Sequence, residues 1–457
     1  MRIKLSSPFK ISELISSIDV KAHALSKYDS VVCAICTDSR LLEVGDLFFA
    51  LKGDRFDGED FVTDAISNGA IAISKKMLDG VITVSDTSYA LLSAAAFYKS
   101  RLKKLKYSVA ITGSIGKSTT KEFVKKLASV KYCTHATHAN YNNYIGLAHT
   151  VFSAPENTEV LVVELGMNHL GEISTLSKCI SPDIAVITGI GTAHIGILGS
   201  RENIAKAKLE IVDGMNGGPL LIPYGEPLLR HKNAKSVSYS SSLSDFSLYE
   251  SDNGTYCFDS PSVSVDSIAT SITAEHLLFD LSLSLSVGCL IGLSPYEMRL
   301  GANMVNSNDL RQRLIRLGSY SIFDDSYNSS YESVLANFRM LRNLGVKHVG
   351  AFLGDMLELG GESEKLHRMV GKAAYEHKLS SLYLLGKYAK HIADGAISAG
   401  FNADRIFINE NTDAPDISVE QISENHLESE LILFKGSHRL RLDRIADVLI
   451  SKERKTQ

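Results

Sequence analysis

Residues 109–120, Val-Ala-Ile-Thr-Gly-Ser-Ile-Gly-Lys-Ser-Thr-Thr, are the ones whose types and order say most about chemistry. Gly113 and Gly116 bracket Ser114 and Ile115, so bare backbone N–H groups can face a phosphate with no side chain in the way. Lys117 has the reach to span β- and γ-phosphate oxygens, and the Ser118 hydroxyl, with Thr119 beside it, stands where a Mg²⁺ ligand belongs. The ligand that fits is ATP with its Mg²⁺. The spacing Gly-x-x-Gly-Lys-Ser is shorter than the common phosphate-loop form, which would need a glycine where Ile111 stands. A tight strand-to-helix turn with a chance lysine is the competing reading, and the flanking strand and helix signals weigh against it.

Further chemistry-bearing side chains stand just past apolar runs. Glu164 ends the run Val160–Glu164, and His194 follows the run 184–188. A carboxylate and an imidazole close to Ser118 suit a cation that neutralises triphosphate charge during phosphoryl transfer. The plainer readings are a helix N-terminal charge for Glu164 and a loop histidine for His194. Asn140, Asn142 and Asn143 crowd three amides into four positions, a density of two-way hydrogen-bonding groups that reads as a substrate loop. Asp324, Asp325 and Asn328 follow the strand-like 320–323, residues 354–360 follow 348–353, and Lys435 to Ser437 follow 431–434. Lys206 and Lys208 lie on a helical stretch where, by residue type alone, they form a solvated face.

Parallel strands are what would carry these groups to one place. Between 107 and 300 the continuous apolar runs 108–112, 160–164 and 184–188 read as strands buried on both faces, separated by amphipathic helices at 117–127 and 171–180. That pattern is a doubly wound sheet, whose ligands sit at the carboxyl ends of its strands. Segment 235–267, rich in serine and aspartate, reads as a small antiparallel excursion or a loop. A second α/β series follows, with strands near 320–323, 348–353, 381–385, 405–408 and 431–434 and helices near 330–343, 363–377 and 388–399. The opening residues read as a mixed unit with strands near 31–37 and 47–51 and helices near 60–69 and 89–102. The basic run 101–106 then reads as a solvated hinge. The predicted architecture is α/β in three domains: a small mixed domain at 1–103, a central doubly wound phosphate-loop domain at 104–308 and a Rossmann-like domain at 309–457.

Composition agrees with this division. At 457 residues the chain exceeds one ordinary core and predicts about two to four domains. A net charge of −4 gives no electrostatic reason for nucleic acid or an anionic membrane as partner, and a small anionic substrate fits better. No apolar run approaches the ~18 residues that would span a membrane, and residues 1–8 lack the apolar core of a signal peptide, so no stable membrane insertion is expected. Six cysteines are scattered along the chain; Cys33 and Cys36 form a Cys-x-x-Cys that reads as two small side chains of a half-buried strand and not as a metal or redox pair. The predicted compartment is the reducing cytoplasm.

Taken together the motifs resemble the Mur ligase family, the ATP-dependent amide-bond-forming enzymes of peptidoglycan precursor synthesis, along almost the whole chain. The resemblance rests on residues 37–40 and 45–53, the phosphate loop with Lys121 and Glu122, residues 140–146, 164–168 and 171–173, Ala193 with His194, and residues 207–211. It continues through Leu310 and Arg311, residues 324–328 and 354–359, His367 and Lys435 to Ser437. It implies a first domain that holds the UDP part of a UDP-MurNAc-tripeptide, a central domain for ATP, and a third domain that closes over both with an incoming D-Ala-D-Ala dipeptide. Ser39, Arg40, Lys52, Asn140, Asn142 and Asn143 would read the acid substrate. The implied chemistry is attack of the peptide carboxylate on the γ-phosphorus, giving ADP and an acyl phosphate, followed by attack of the amine. Two Mg²⁺ are implied, one on Ser118 and Glu164 and a second on His194 and a carbamylated Lys208, carbamylation being what turns a cation into an anionic ligand. Arg311 would meet the γ-phosphate, with Arg313 a competitor for that role; Asp325 would meet the ribose and Asn328 the nucleotide. Lys117, Lys208, His194 and Arg311 form the implied catalytic set, in a monomer that serves cell-wall synthesis and hence cell shape and division.

Three positions depart from the family pattern. Leu277 follows His276 where an asparagine would read adenine, Glu59 replaces a histidine after Asp57 and Gly58, and Gly189 replaces an asparagine. They motivate two other readings: a Mur-like ligase for a different acid and amine, and a nucleotide-binding regulatory homologue without turnover.

Overall fold

The computed structural model describes residues 1–23, 30–53, 56–305, 313–428 and 430–456. Six strands open the chain: β1 (Arg2–Lys10), β2 (Val20–His23), β3 (Val31–Cys36), β4 (Leu47–Phe49), β5 (Ile71–Ser74) and β6 (Val81–Val84). Their order is β1-β3-β4-β5-β6-β2, with β3 to β6 parallel and the two edge strands antiparallel to their neighbours. The sequence reading has β3 and β4 but not the edge strand β1, whose pairing register shifts between Lys4 and Phe9, or the short β2, β5 and β6. Cys33 is exposed and Cys36 buried, so the two thiols face opposite ways on β3.

The helix Thr87–Ser100 starts at Asp86, whose carboxylate accepts from the N–H groups of Ser88 and Tyr89 at 2.8 and 2.9 Å. Its fully buried Tyr98 lies 5.5 Å, ring to ring, from Phe152 of the central domain. One apolar cluster accordingly runs from Ile3 through to Leu229 and joins the first two domains. The run 101–106 is therefore no hinge: Leu102 is buried, while Arg101 and Lys106 pair outward with Glu13 and Glu159.

The central sheet contains β7 (Tyr107–Thr112), β8 (Thr134–Ala136), β9 (Val160–Glu164), β10 (Ile184–Ile187), β11 (Leu220–Pro223), β12 (Ala234–Tyr239), β13 (Phe246–Glu250), β14 (Tyr256–Asp259) and β15 (Ser264–Ile268). The order is β15-β14-β13-β12-β11-β10-β7-β9-β8, parallel from β8 to β13. Segment 235–267 thus widens this sheet, and only β14 and β15 are antiparallel. The C-terminal sheet holds β16 (Arg313–Leu317), β17 (Tyr320–Asp324), β18 (Val349–Gly354), β19 (Ser381–Leu385), β20 (Ile406–Asn409) and β21 (Glu430–Lys435), ordered β16-β17-β21-β18-β19-β20. All but β16 run parallel, as expected; β16 and the helices Pro415–Asn425 and Leu442–Thr456 were not foreseen. Among the described residues no helix is long and apolar enough to cross a membrane.

Candidate active site

β7 has β9 on one side and β10 on the other, so the chain changes direction around it, and all three strands end at the same edge. In a doubly wound sheet that crevice is where a ligand sits. Gly113, at the end of β7, has φ +148°, and a Cβ there would lie 2.0 Å from Thr188 Oγ1. The Thr188 hydroxyl donates to the Ile115 carbonyl, and Ser114 N donates to Gly189 O at 2.9 Å, so the β10 end props the phosphate loop open. Gly189 works through its backbone. Gly116, at φ +81°, caps the helix Lys117–Ser129, whose N-terminal N–H groups and dipole favour an anion.

Beneath this turn lies Asp280, a carboxyl buried in the middle of the helix Glu275–Leu290. Its Oδ1 accepts from Thr120 Oγ1 at 3.0 Å and occupies the place of a Gly116 side chain, 2.6 Å from where a Cβ would be. Burial pushes its pKa up to about 8, against the opposing effect of the Thr120 hydrogen bond. Nothing in the sequence reading assigned Asp280 a role, although an acid among Leu278, Leu281 and Leu283 was a visible signal.

Lys117 Nζ folds back to donate to Gly113 O at 2.8 Å. Ser118 Oγ donates to Glu164 Oε2 at 2.7 Å, and Asn142 Nδ2 donates to Glu164 Oε1 at 2.8 Å. Glu164 is buried, so this one carboxylate joins the phosphate loop to the asparagine loop. Lys121, also buried, sends its Nζ to Thr137 O at 2.7 Å and fastens the start of that loop to the phosphate-loop helix. Asn143 caps the helix Tyr144–Phe152 by accepting from Gly146 N at 2.9 Å, whereas Asn140 stands exposed. Thr119, one residue on, is only partly buried.

Lys208 is 1% exposed, and its Nζ has no hydrogen-bond partner among the described residues. Burial, and then the nearby charge of Lys117, push its pKa well below the ordinary lysine value. A solvated helix face is excluded. His194, at φ +65°, sets Nδ1 2.7 Å from Glu358 Oε2 of the C-terminal domain, and this imidazole holds the Glu358 carboxyl below its usual range. No three His, Cys, Asp or Glu side chains converge among the described residues as a ready cation site. A cation here needs the Ser118 hydroxyl, phosphate oxygens and a modified lysine, and the orphaned neutral amine of Lys208 has the chemistry for that modification.

On the C-terminal side, Asp325 Oδ2 accepts from Lys435 Nζ and from Asn337 Nδ2, each at 2.6 Å, and Asn328 O accepts from Lys435 at 3.0 Å. His276 faces this group from the central domain; burial drops its pKa to about 4, so the ring is neutral. Leu277 is buried in the central apolar cluster. A cavity of about 140 Å³ between the domains is lined by His276, Glu275, Arg339 and Asn343. Arg311 lies outside the described residues; Arg313 is exposed on β16.

In the first domain Ser39 and Arg40 follow β3 and Lys52 follows β4, so parallel strands bring them to one edge. Arg40 forks onto Asp38 at 2.8 and 2.7 Å. Glu59 accepts from Ser74 Oγ at 2.5 Å and Lys75 N at 2.9 Å, which ties its turn to the end of β5. No recorded contact links Ser39, Arg40 or Lys52 to the phosphate loop.

Comparison with known proteins agrees with this geometry. The chain matches the Mur ligase family catalytic domain over residues 32–91, the Mur ligase middle domain over 111–285 and the Mur ligase glutamate ligase domain over 311–438. It is 35% identical over 436 residues to UDP-N-acetylmuramoyl-tripeptide–D-alanyl-D-alanine ligase of Bacillus subtilis (strain 168), covering 92% of this chain and 94% of that one. The crystal structure of MurF from Acinetobacter baumannii superposes with a TM-score of 0.86 at 26% identity, covering 98% of this chain and 100% of that one. The MurF ligase of Thermotoga maritima in complex with ADP gives 0.77 at 25% identity, covering 93% and 98%. With a phosphate loop, a buried lysine and a three-domain order that all agree, the chain belongs to the Mur ligase family.

Proposed function

We propose that this chain is an ATP-dependent ligase that joins D-alanyl-D-alanine to the peptide carboxylate of UDP-MurNAc-tripeptide through an acyl phosphate. The observation that carries the reading is the buried Glu164 carboxylate, shared between Ser118 of the phosphate loop and Asn142 of the asparagine loop. It puts the end of ATP that must react within one hydrogen-bonded unit of the loop assigned to the acid. The printed name of the Bacillus subtilis relative supports the choice of substrates.

The steps follow from the groups present. The phosphate-loop N–H groups and Lys117 take the β- and γ-phosphate charge, Asp325 takes the ribose, and Asn328 and Arg311 complete the nucleotide side. Bound Mg²⁺ neutralises phosphate charge and brings the acid oxygen to the γ-phosphorus, held by Ser118 and Glu164 at one position and by His194 and carbamylated Lys208 at the other. The neutral Lys208 amine can form that carbamate, its nitrogen bonding to the carbon of CO₂ as a proton leaves. A carboxylate oxygen of the peptide attacks phosphorus as the bond to ADP breaks; the dipeptide amine then attacks the acyl carbon, and phosphate departs. Asn140, Asn142, Asn143, Ser39, Arg40 and Lys52 hold the UDP-linked acid. The protein works as a monomer in the cytoplasm, on small molecules.

Neither departure argues for another acid: Glu59 is spent on Ser74 and Lys75, and Leu277 fills the core. The test is ADP release in the presence of Mg²⁺. Release that needs both UDP-MurNAc-tripeptide and D-Ala-D-Ala is expected; no release with that pair, but release with another acid and amine, would overturn the substrate assignment.

A further inference from the structure

The loop after β18 meets the loop after β10 in an unusually close way. His194 and Glu358, one from each domain, both hold φ at +65°, a left-handed conformation that costs energy for any residue with a Cβ. Gly196 N donates to Glu358 O at 3.0 Å. A Cβ on Gly196 would lie 2.3 Å from Gly360 N, and one on Gly360 would lie 2.7 Å from Gly196 Cα, so the two backbones touch where only glycine allows it. Beside them Thr192 Oγ1 donates to Glu332 Oε2 at 3.1 Å. Strained backbone on both sides is thus held so that one carboxylate reaches one imidazole nitrogen, His194 Nδ1, at 2.7 Å.

We propose that Glu358 is the positioning residue of His194: docking of the C-terminal domain delivers a carboxylate that takes the Nδ1 proton, fixes the ring and leaves Nε2 as the lone-pair nitrogen for a divalent cation. A carboxylate on the far nitrogen is how ligating histidines are commonly held in one tautomer. The inference rests on the reading of His194 as a cation ligand. It adds that this ligand is complete only when the two domains are docked, so the second cation position, and with it γ-phosphate transfer, waits for the domain that brings the amine.

The test is calorimetric titration of Mg²⁺ into the full-length protein saturated with a non-hydrolysable ATP analogue, for wild type, Glu358→Ala, Glu358→Gln, His194→Ala and the double alanine variant. Glu358→Ala is expected to weaken the looser Mg²⁺ step about 10- to 100-fold, with Glu358→Gln restoring most of it because its amide oxygen still accepts from Nδ1–H. In the His194→Ala background Glu358→Ala should change nothing further. Unchanged Mg²⁺ affinity in Glu358→Ala, with His194→Ala still weakening it, would overturn the role of Glu358 and leave an ordinary interdomain contact. Unchanged affinity in His194→Ala would instead remove the ligand reading itself.

Discussion

Ser118 and Glu164 leave neighbouring strands β7 and β9 and meet at 2.7 Å, and the second oxygen of the same carboxylate is held by Asn142 at 2.8 Å. The relationship matters because Glu164 is buried and each of its oxygens has a donor from a different loop. Nucleotide and acid are therefore read by parts that cannot move independently.

Replacing Glu164 by alanine leaves the Ser118 and Asn142 donors without their acceptor. A loss of about 1–3 kcal/mol per donor left unpaired is expected in urea unfolding. Glu164→Gln should retain most of the stability and lose Mg²⁺-dependent ATP affinity, since an amide keeps the shape but not the charge. Calorimetry of ATP binding with and without Mg²⁺ checks this; equal affinities in wild type and Glu164→Gln would refute it.

Lys208 stands at odds with stability, as a buried amine without a partner should if its use lies elsewhere. Lys208→Met is expected to stabilise the fold by about 1–3 kcal/mol at neutral pH while abolishing turnover. The folded-state pKa lies below the unfolded one, so the unfolded chain binds the extra proton and stability rises with pH towards the unfolded value. Thermal melts at pH 6 and pH 9 should show that slope reduced in Lys208→Met; a destabilised variant would contradict the orphaned amine.

Asp280 gives the opposite slope. Its folded pKa of about 8 exceeds the ordinary carboxylate value, so across roughly pH 4 to 8 the folded chain holds a proton that the unfolded chain releases. Stability from this group is fully present below that window and falls as pH rises through it. Asp280→Asn, of the same shape but uncharged, should flatten the fall and be more stable than wild type at pH 8. Parallel curves for the two proteins would show that the carboxyl is already ionised in the folded state.

Gly113→Ala tests the loop itself. The added methyl would sit 2.0 Å from Thr188 Oγ1 at a φ of +148°, so the β10 prop or the loop must shift. ATP affinity should drop at least about tenfold, equivalent to ~1.4 kcal/mol, with the melting transition of the whole protein still cooperative. Wild-type affinity in this variant would mean the loop does not grip phosphate.

How far the residues could be read in advance depended on how local their job is. The phosphate loop, Glu164 and the parallel strands of the two large sheets were legible because continuous apolar runs, glycines and a lysine declare themselves within a few positions. The edge strands β1 and β2 were not, since an edge is stabilised by a partner far along the chain and carries a weak, interrupted alternation. The run 101–106 misled because its charges were visible and the burial of Leu102 was not.

For the site, the chain alone determined which chemistry was available: triphosphate grip, carboxylate, imidazole and a set of amides. Only the tertiary structure decided that Lys208 is a neutral buried amine and not a surface charge, that Asp280 fills the space under Gly116, and that His194 faces Glu358 across two domains. The physical reason is the same in each case. Burial and long-range pairing set the protonation and aim of these groups, and both arise from elements separated by tens to hundreds of positions that meet only when the sheets pack.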